Sequence, residues 1–228
     1  MTRTRIAVLA SGGGTNLQAI LDHFERLGDR RSGDVIVVVS DRPGAGALAR
    51  ARARGIAAEV VAASADVDRV LDAHNIELVV LAGYLRHVPD PVVHRYAGHI
   101  VNVHPALLPA FGGPGLYGAR VHDAVLAAGV AVTGVTVHFV DEEYDRGTII
   151  AQWPVPVLTG DDGETLAARV LRVEHILYPR VVNAVAGGKI TLAACQRGER
   201  PTAAGVEFTM LSREDDCLAE DIDRALGC

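Results

Sequence analysis

The sequence predicts an α/β protein: an open, mostly parallel, doubly wound sheet with an antiparallel strand pair added in the C-terminal half. Three observations carry this expectation. Residues 6–10, 34–40 and 78–82 are short aliphatic runs without polar alternation, the pattern of strands buried on both faces of a parallel sheet. Segments of helical spacing lie between such runs, and a repeated β-α-β order folds through right-handed crossovers. From residue 132 the order becomes strand, short loop, strand, a link that suits only an antiparallel pair.

The elements follow in order. The strand at 6–10 runs into Ser11-Gly12-Gly13-Gly14-Thr15-Asn16, and residues 16–27 place Leu17, Ile20, Leu21 and Phe24 at helical spacing. After the strand at 34–40 comes a Pro/Gly turn, then an Ala/Arg-rich helix over 47–54 that Gly55 stops. A strand at 56–61, a helix at 66–75, the strand at 78–82 and a helix at 91–96 lead to a strand at 98–103. That strand ends in Asn102-Val103-His104-Pro105. A helix at 121–128 precedes the pair 132–140 and 148–157, joined by the acidic loop 141–147. Residues 162–186 form a long helix whose acidic first turn suits its dipole. Residues 1–190 read as one domain and 191–228 as a C-terminal extension. There Leu218, Ile222 and Leu226 sit at i, i+4 and i+8, so a short helix is expected, with a solvated tail as the alternative.

Composition narrows the function. A chain of 228 residues that is 49% hydrophobic but only 4% aromatic can bury a substantial, aliphatic core. Its net charge of −6 argues against nucleic-acid binding, and it requires that any anionic ligand be held by local donors. No run approaches the ~20 apolar residues of a membrane span, and the N-terminal run is too short for a signal peptide. Cys195, Cys217 and Cys228 form no Cys-x-x-Cys pair, so neither a disulfide framework nor a zinc site is indicated. A cytoplasmic protein is expected.

Two places concentrate chemistry. Glycines in residues 11–16 let the backbone approach a ligand, and the following helix presents N–H groups to an anion. Leu17 stands where the dinucleotide fingerprint would have its third glycine, and no Lys-Ser/Thr follows as in a P-loop. The loop is therefore either a phosphate site or a tight turn capped by Thr15 or Asn16. Asn102 and His104, two apart, project from one face at a strand end, where α/β proteins keep their chemistry. An ordinary core histidine is the alternative. A carboxylate to orient His104 is available on the loop 141–147, where Asp145 precedes Arg146-Gly147 and so suits a fixed turn. A solvated acidic hairpin loop is the alternative there. His138, on a strand with Thr136, reads as structural. His94 and His99 are five apart and no His-Glu-x-x-His set exists, so no metal is expected.

Four ordered motifs together resemble the phosphoribosylglycinamide formyltransferases (GAR transformylases), a folate-dependent formyltransferase family. They are Val8 to Gln18 (Val-Leu-Ala-Ser-Gly-Gly-Gly-Thr-Asn-Leu-Gln), Leu81-Ala-Gly-Tyr-Leu-Arg86, Asn102-Val-His-Pro-Ala-Leu-Leu-Pro109 and Val137 to Gly147. The resemblance covers about residues 5 to 190. It implies a Rossmann-like sheet and an enzyme of purine biosynthesis. That enzyme transfers the formyl group of 10-formyltetrahydrofolate, a co-substrate, to the amine of glycinamide ribonucleotide (GAR). On the positions of this chain it implies Asn102, His104 and Asp145 as catalytic: His104 the proton donor, Asp145 the group that raises its pKa, Asn102 the oxyanion donor. It implies Gly14, Thr15 and Asn16 for the phosphate, with Pro105 and Glu174 also on the ribonucleotide. The folate pocket would comprise Leu85, Arg86, His87, Val88, Asn102, Val140, Asp141, Glu142, Glu143 and Tyr144. Partners would be these two small molecules, with no nucleic acid and no membrane; apart from the resemblance, apolar surface in the first half leaves a homodimer as one option and a monomer as the other.

The chain departs from the family's pattern at three points. The 56–78 segment is short and leaves Arg69 as the sole candidate for the folate tail. Tyr117 stands where histidine is common, in a segment with extra residues, and Leu171 stands where Gln is common. Other 10-formyltetrahydrofolate users (a hydrolase, a sugar N-formyltransferase, a methionyl-tRNA formyltransferase) share the Asn-x-His…Asp core. The tRNA enzyme would need an RNA-binding domain and a basic surface. A noncatalytic binder is the alternative from a different class.

Overall fold

The computed structural model describes residues 2–198 and 216–227. Seven strands form its sheet: β1 (Thr4–Leu9), β2 (Gly33–Ser40), β3 (Ala57–Val60), β4 (Leu78–Leu81), β5 (Ile100–His104), β6 (Val132–Phe139) and β7 (Ile149–Pro156). Their spatial order is β3-β2-β1-β4-β5-β6-β7. Pairing is parallel from β3 through β5 and antiparallel from β5 through β7. This is the doubly wound sheet with an added antiparallel pair that the aliphatic runs predict. The helices are α1 (Thr15–Leu27), α2 (Gly46–Ala53), α3 (Asp66–Ala73), α4 (Asp90–Arg95), α5 (Ala119–Ala127), α6 (Gly163–Ala186), α7 (Leu192–Gln196) and α8 (Asp216–Leu226).

The runs lack alternation because both faces are covered. β1 sends Ile6 and Val8 into a core shared with α1, α2, α5 and α6, and Ala7 and Leu9 into a second core under α3 and α4. Helix α6 anchors the first core through Val170, Val173, Leu177 and Val181, all fully buried. Asp162 caps it: its carboxylate accepts from Thr165 N at 2.8 Å, and Thr165 Oγ1 accepts from Asp162 N at 2.9 Å. The helix runs through Pro179, since the buried side chains around that residue outweigh one lost backbone bond. One residue earlier, the Tyr178 hydroxyl lies between the carbonyls of Leu81 (2.9 Å) and Val101 (3.0 Å), which locks α6 to β4 and β5.

Helix α8 packs on α6 through buried Leu218 and Ile222, with Leu226 partly buried, and Arg180 Nη2 reaches Asp221 Oδ2 at 2.6 Å. Residues 199–215 of the C-terminal extension, and Cys228, lie outside the described residues. No helix among the described residues is long and apolar enough to cross a membrane.

This topology fixes where a site can form. The chain leaves β1 and β4 toward opposite faces of the sheet, so the loops beyond these adjacent strands diverge and open a crevice. Two bonds stitch the loops at its base, Ser11 N to Gly83 O (3.0 Å) and Leu85 N to Ser11 Oγ (2.9 Å).

Candidate active site

A cleft of about 880 Å³ opens at the C-terminal ends of β4 and β5 and extends to α5 and α6. Val101 and Val103 of β5 turn into the first core, so Asn102 and His104 turn to the other face and into the cleft. Antiparallel register sets His138 of β6 opposite Asn102, and Thr136 opposite His104. Thr136 also ties down the segment after β5. Its hydroxyl donates to Ala106 O (2.7 Å) and accepts from Leu108 N (3.0 Å), just before a cis Leu108–Pro109 bond.

That segment folds back over the imidazole. His104 is only 4% exposed, and its Nε2 lies 2.9 Å from the Phe111 carbonyl. A carbonyl only accepts, so Nε2 carries a proton and Nδ1 is the atom that faces Asp145 Oδ1, at 3.6 Å. Asp145 sits in the left-handed region (φ 56°), which aspartate tolerates, and its Oδ2 accepts from Gly113 N at 2.9 Å. Gly147 makes the turn feasible, since a Cβ there would stand 1.8 Å from the Phe139 carbonyl oxygen. The Asp-Arg-Gly order thus holds one carboxylate beside one imidazole.

A second imidazole joins them. His138 Nδ1 lies 2.8 Å from Phe139 O and must donate to it, leaving Nε2 of the neutral ring to accept from Asn102 Nδ2 at 3.1 Å. His138 Nε2 is also 3.7 Å from Asp145 Oδ1. The sequence reading of His138 as structural missed this position. The signal was present: an antiparallel partner of β5 must show alternate residues on the same face.

Burial pushes the His104 pKa down, against the upward pull of Asp145 and of the Phe111 carbonyl. His138 is lowered for the same reason, against Phe139 O and Asp145. Asp145 acts on His104 in the expected direction. Desolvation of the buried ring is the larger of the two opposing effects.

The remaining expected residues divide by position. Leu85, Arg86, His87 and Val88 line one wall, and Val140, Asp141, Glu143 and Tyr144 face the same cleft. The His87 and Tyr144 rings stand 5.0 Å apart. Arg86 is held by Ala62 O (2.8 Å) and Asp41 (3.3 Å). Glu142 is not in the cleft wall; it pairs with His94 on the outside. Arg69 is exposed on α3, away from the cleft.

At the other end, Pro105, Asn16 and Glu174 line the cleft, while Gly14 and Thr15 sit just behind Asn16 and outside its wall. Asn16 Nδ2 donates to Glu174 Oε2 at 2.6 Å, and burial drives the Glu174 pKa up to about 7 against that bond. Gly14, not Thr15 or Asn16, is the N-cap residue of α1, and no side chain caps the helix. Its first-turn N–H groups are thereby left for a ligand. Tyr117 is exposed at the rim with the Arg120 guanidinium 5.0 Å from its ring centre, and Leu171 adds an apolar patch beside Glu174. Among the described residues, no three His, Cys, Asp or Glu side chains are grouped to hold a metal ion.

Comparison with known proteins places this geometry. The family described as formyl transferase matches residues 4–182. A chloroplastic phosphoribosylglycinamide formyltransferase of Arabidopsis thaliana is 43% identical over 199 residues, covering 82% of this chain and 67% of the plant protein. The phosphoribosylglycinamide formyltransferase of Escherichia coli (strain K12) is 38% identical over 207 residues, covering 86% of this chain and 94% of that protein. The chain spans only 19% of the trifunctional purine biosynthetic protein adenosine-3 of Gallus gallus, at 41% identity. The crystal structure of glycinamide ribonucleotide transformylase 1 from Symbiobacterium toebii superposes with a TM-score of 0.76 at 43% identity, over 82% of this chain and 89% of that one. The chain belongs to the formyl transferase family.

Proposed function

We propose that the protein transfers the formyl group of 10-formyltetrahydrofolate to the amine of glycinamide ribonucleotide, releasing formyl-GAR and tetrahydrofolate in purine biosynthesis. The observation that carries this reading is the convergence of Asn102, His104 and Asp145 in a cleft that also reaches Asn16 and Glu174. Relatives of that printed activity, one matched over 94% of its length, support it.

The chemistry follows from the hydrogen-bond pattern. The substrate amine attacks the formyl carbon, the C=O electron pair moves to oxygen, and a tetrahedral oxyanion forms. Asn102 spends one Nδ2 proton on His138, which fixes the amide, and keeps the other for that oxygen. His104 Nδ1 faces the Asp145 carboxylate, whose charge favours a proton on that nitrogen. The new oxyanion adds a second negative charge beside the imidazole, so proton affinity at Nδ1 rises as the intermediate forms. That Nδ1 proton hydrogen-bonds the oxyanion; as the C=O bond re-forms and the C–N10 bond breaks, N10 takes the bond pair and the proton from His104, and the proton shed by the attacking nitrogen replaces it.

Gly14, Thr15 and Asn16 hold the phosphate by backbone and side-chain donors, and Pro105 and Glu174 meet the ribonucleotide. The loop 85–88 and Val140, Asp141, Glu143 and Tyr144 enclose the folate. The reading extends to a cytoplasmic enzyme whose catalytic unit is residues 1–190.

Mixing the protein with 10-formyltetrahydrofolate and glycinamide ribonucleotide tests it. Tetrahydrofolate release that requires the ribonucleotide is expected. Release without it would replace the transferase with a hydrolase, and no release would replace it with a binder.

A further inference from the structure

The glycine-rich loop is shaped by its neighbour as well as by its own sequence. A trans peptide is planar, so a carbonyl held on one side turns the next N–H to the other. Two successive carbonyls of the loop are held by α2: Gly12 O accepts from Ala47 N at 3.2 Å, and Gly13 O accepts from Arg50 Nε at 2.8 Å. The N–H groups of Gly13 and Gly14 are therefore aimed away from α2, the arrangement of an anion-binding nest. The close approach depends on glycine. A Cβ on Gly14 (φ +74°) would stand 2.6 Å from Ala47 Cα, and one on Gly46 would stand 2.9 Å from Gly13 O.

Arg50 differs from the other arginine that α2 points at α1. Arg54, just past the end of α2, is neutralised by Asp22 and Glu25, at 2.8 and 2.9 Å. The partners of Arg50 are the Gly13 carbonyl and, at 3.0 Å, Gln18 Oε1, neither of them charged. Among the described residues no carboxylate pairs with it, so its positive charge stands beside the loop in a chain whose net charge is −6. That charge reaches α6, where it adds to burial in lowering the pKa of His175, the neighbour of Glu174.

We propose that Arg50 is a positioning residue for the substrate phosphate: it fixes the Gly13–Gly14 peptide with its N–H toward the anion and supplies the nearby positive charge. The inference rests on the reading of Gly14, Thr15 and Asn16 as the phosphate anchor.

Kinetics with glycinamide ribonucleotide and with its dephosphorylated riboside, at saturating 10-formyltetrahydrofolate, test it. For Arg50→Ala, the KM for the ribonucleotide rises about tenfold or more, as for loss of a charged hydrogen-bond partner. Turnover and the KM for the folate stay within about threefold, and kcat/KM for the riboside matches that of the wild type. Arg50→Lys, which keeps charge and one donor, recovers part of the loss, and inorganic phosphate inhibits Arg50→Ala less strongly than the wild type.

An equal loss on both substrates would make Arg50 merely structural and overturn the proposal. So would an Arg50→Ala enzyme that keeps the wild-type preference for the phosphorylated substrate. A wild type indifferent to the phosphate would overturn the anchor itself, and the inference with it. Should Arg50→Ala fail to fold, Arg50→Gln retains a donor for Gly13 O without charge, and the same split between substrates decides.

Discussion

The parallel half of the sheet and its antiparallel half serve the site in different ways. Around β1, α1 and α2 the groups that could meet an anion are backbone N–H groups, set by glycines and by a neighbouring helix, and they do not titrate. Around β5, β6 and the loop 141–147 the polar groups are side chains, two imidazoles that each lie within 3.7 Å of one carboxylate. The first region is suited to hold a ligand and the second to move protons. A substitution in the first half should therefore act on binding, and one in the second on turnover.

The strongest way to break this division is Asp145→Asn. The variant keeps its size and can still accept from Gly113 N, but it removes the charge that faces both imidazoles. We expect kcat to fall about 10²-fold or more with a modest change in KM. Since Asp145 pulls the His104 pKa upward, its loss moves the limb of the rate profile that reports His104 to lower pH. Near-normal turnover would remove Asp145 from the mechanism.

A smaller effect comes from Glu174→Gln, where the two regions meet. Burial raises the Glu174 pKa from 4.5 to about 7, so the folded state holds this proton more tightly than the unfolded chain. Between those values the unfolded chain ionises first, and stability declines as pH rises, then levels off above about 7. At ~1.4 kcal/mol per unit the decline is roughly 3 kcal/mol in order of magnitude. Glutamine keeps an acceptor for Asn16 and does not titrate. Glu174→Gln should thus gain thermal stability over the wild type from pH 5 to pH 8 while its KM for the ribonucleotide rises. A constant difference in melting temperature across that range would show that Glu174 does not titrate there.

The smallest effect sharpens the contrast between the two arginines. Arg54→Ala removes a surface pair with Asp22 and Glu25, and such pairs contribute less than about 1 kcal/mol. It should leave both Michaelis constants unchanged, whereas Arg50→Ala should not. A ribonucleotide KM that rises equally in both variants would reduce the Arg50 effect to general charge on this face.

Much of the parallel half was legible because its signals are local. The aliphatic runs that became β1, β2 and β4 needed both faces covered, and the glycines of residues 12–14 announced a close backbone approach. The structure shifted several boundaries by one or two residues and moved the cap of α1 to Gly14. The five-residue helix α7 and the 3₁₀ turn at Gly28–Arg30 were not foreseen, being too short to show periodicity. In the antiparallel half, strand alternation put Asn102 and His104 on one face. It could not show that His138 faces them, because register between β5 and β6 is a tertiary fact.

The sequence by itself determined the fold class, the glycine loop, the paired polar residues at the end of β5 and the Asp-Arg-Gly turn. Each of these is written in neighbouring residues, through side-chain period or backbone preference. Only the tertiary structure decided that Asp145 lies 3.6 Å from His104, that His138 holds Asn102, that Arg50 holds Gly13, and that burial outweighs Asp145 at the His104 imidazole. Those outcomes depend on which surfaces exclude water and which distant segments meet across the sheet. Chain order does not encode either one until the core has packed.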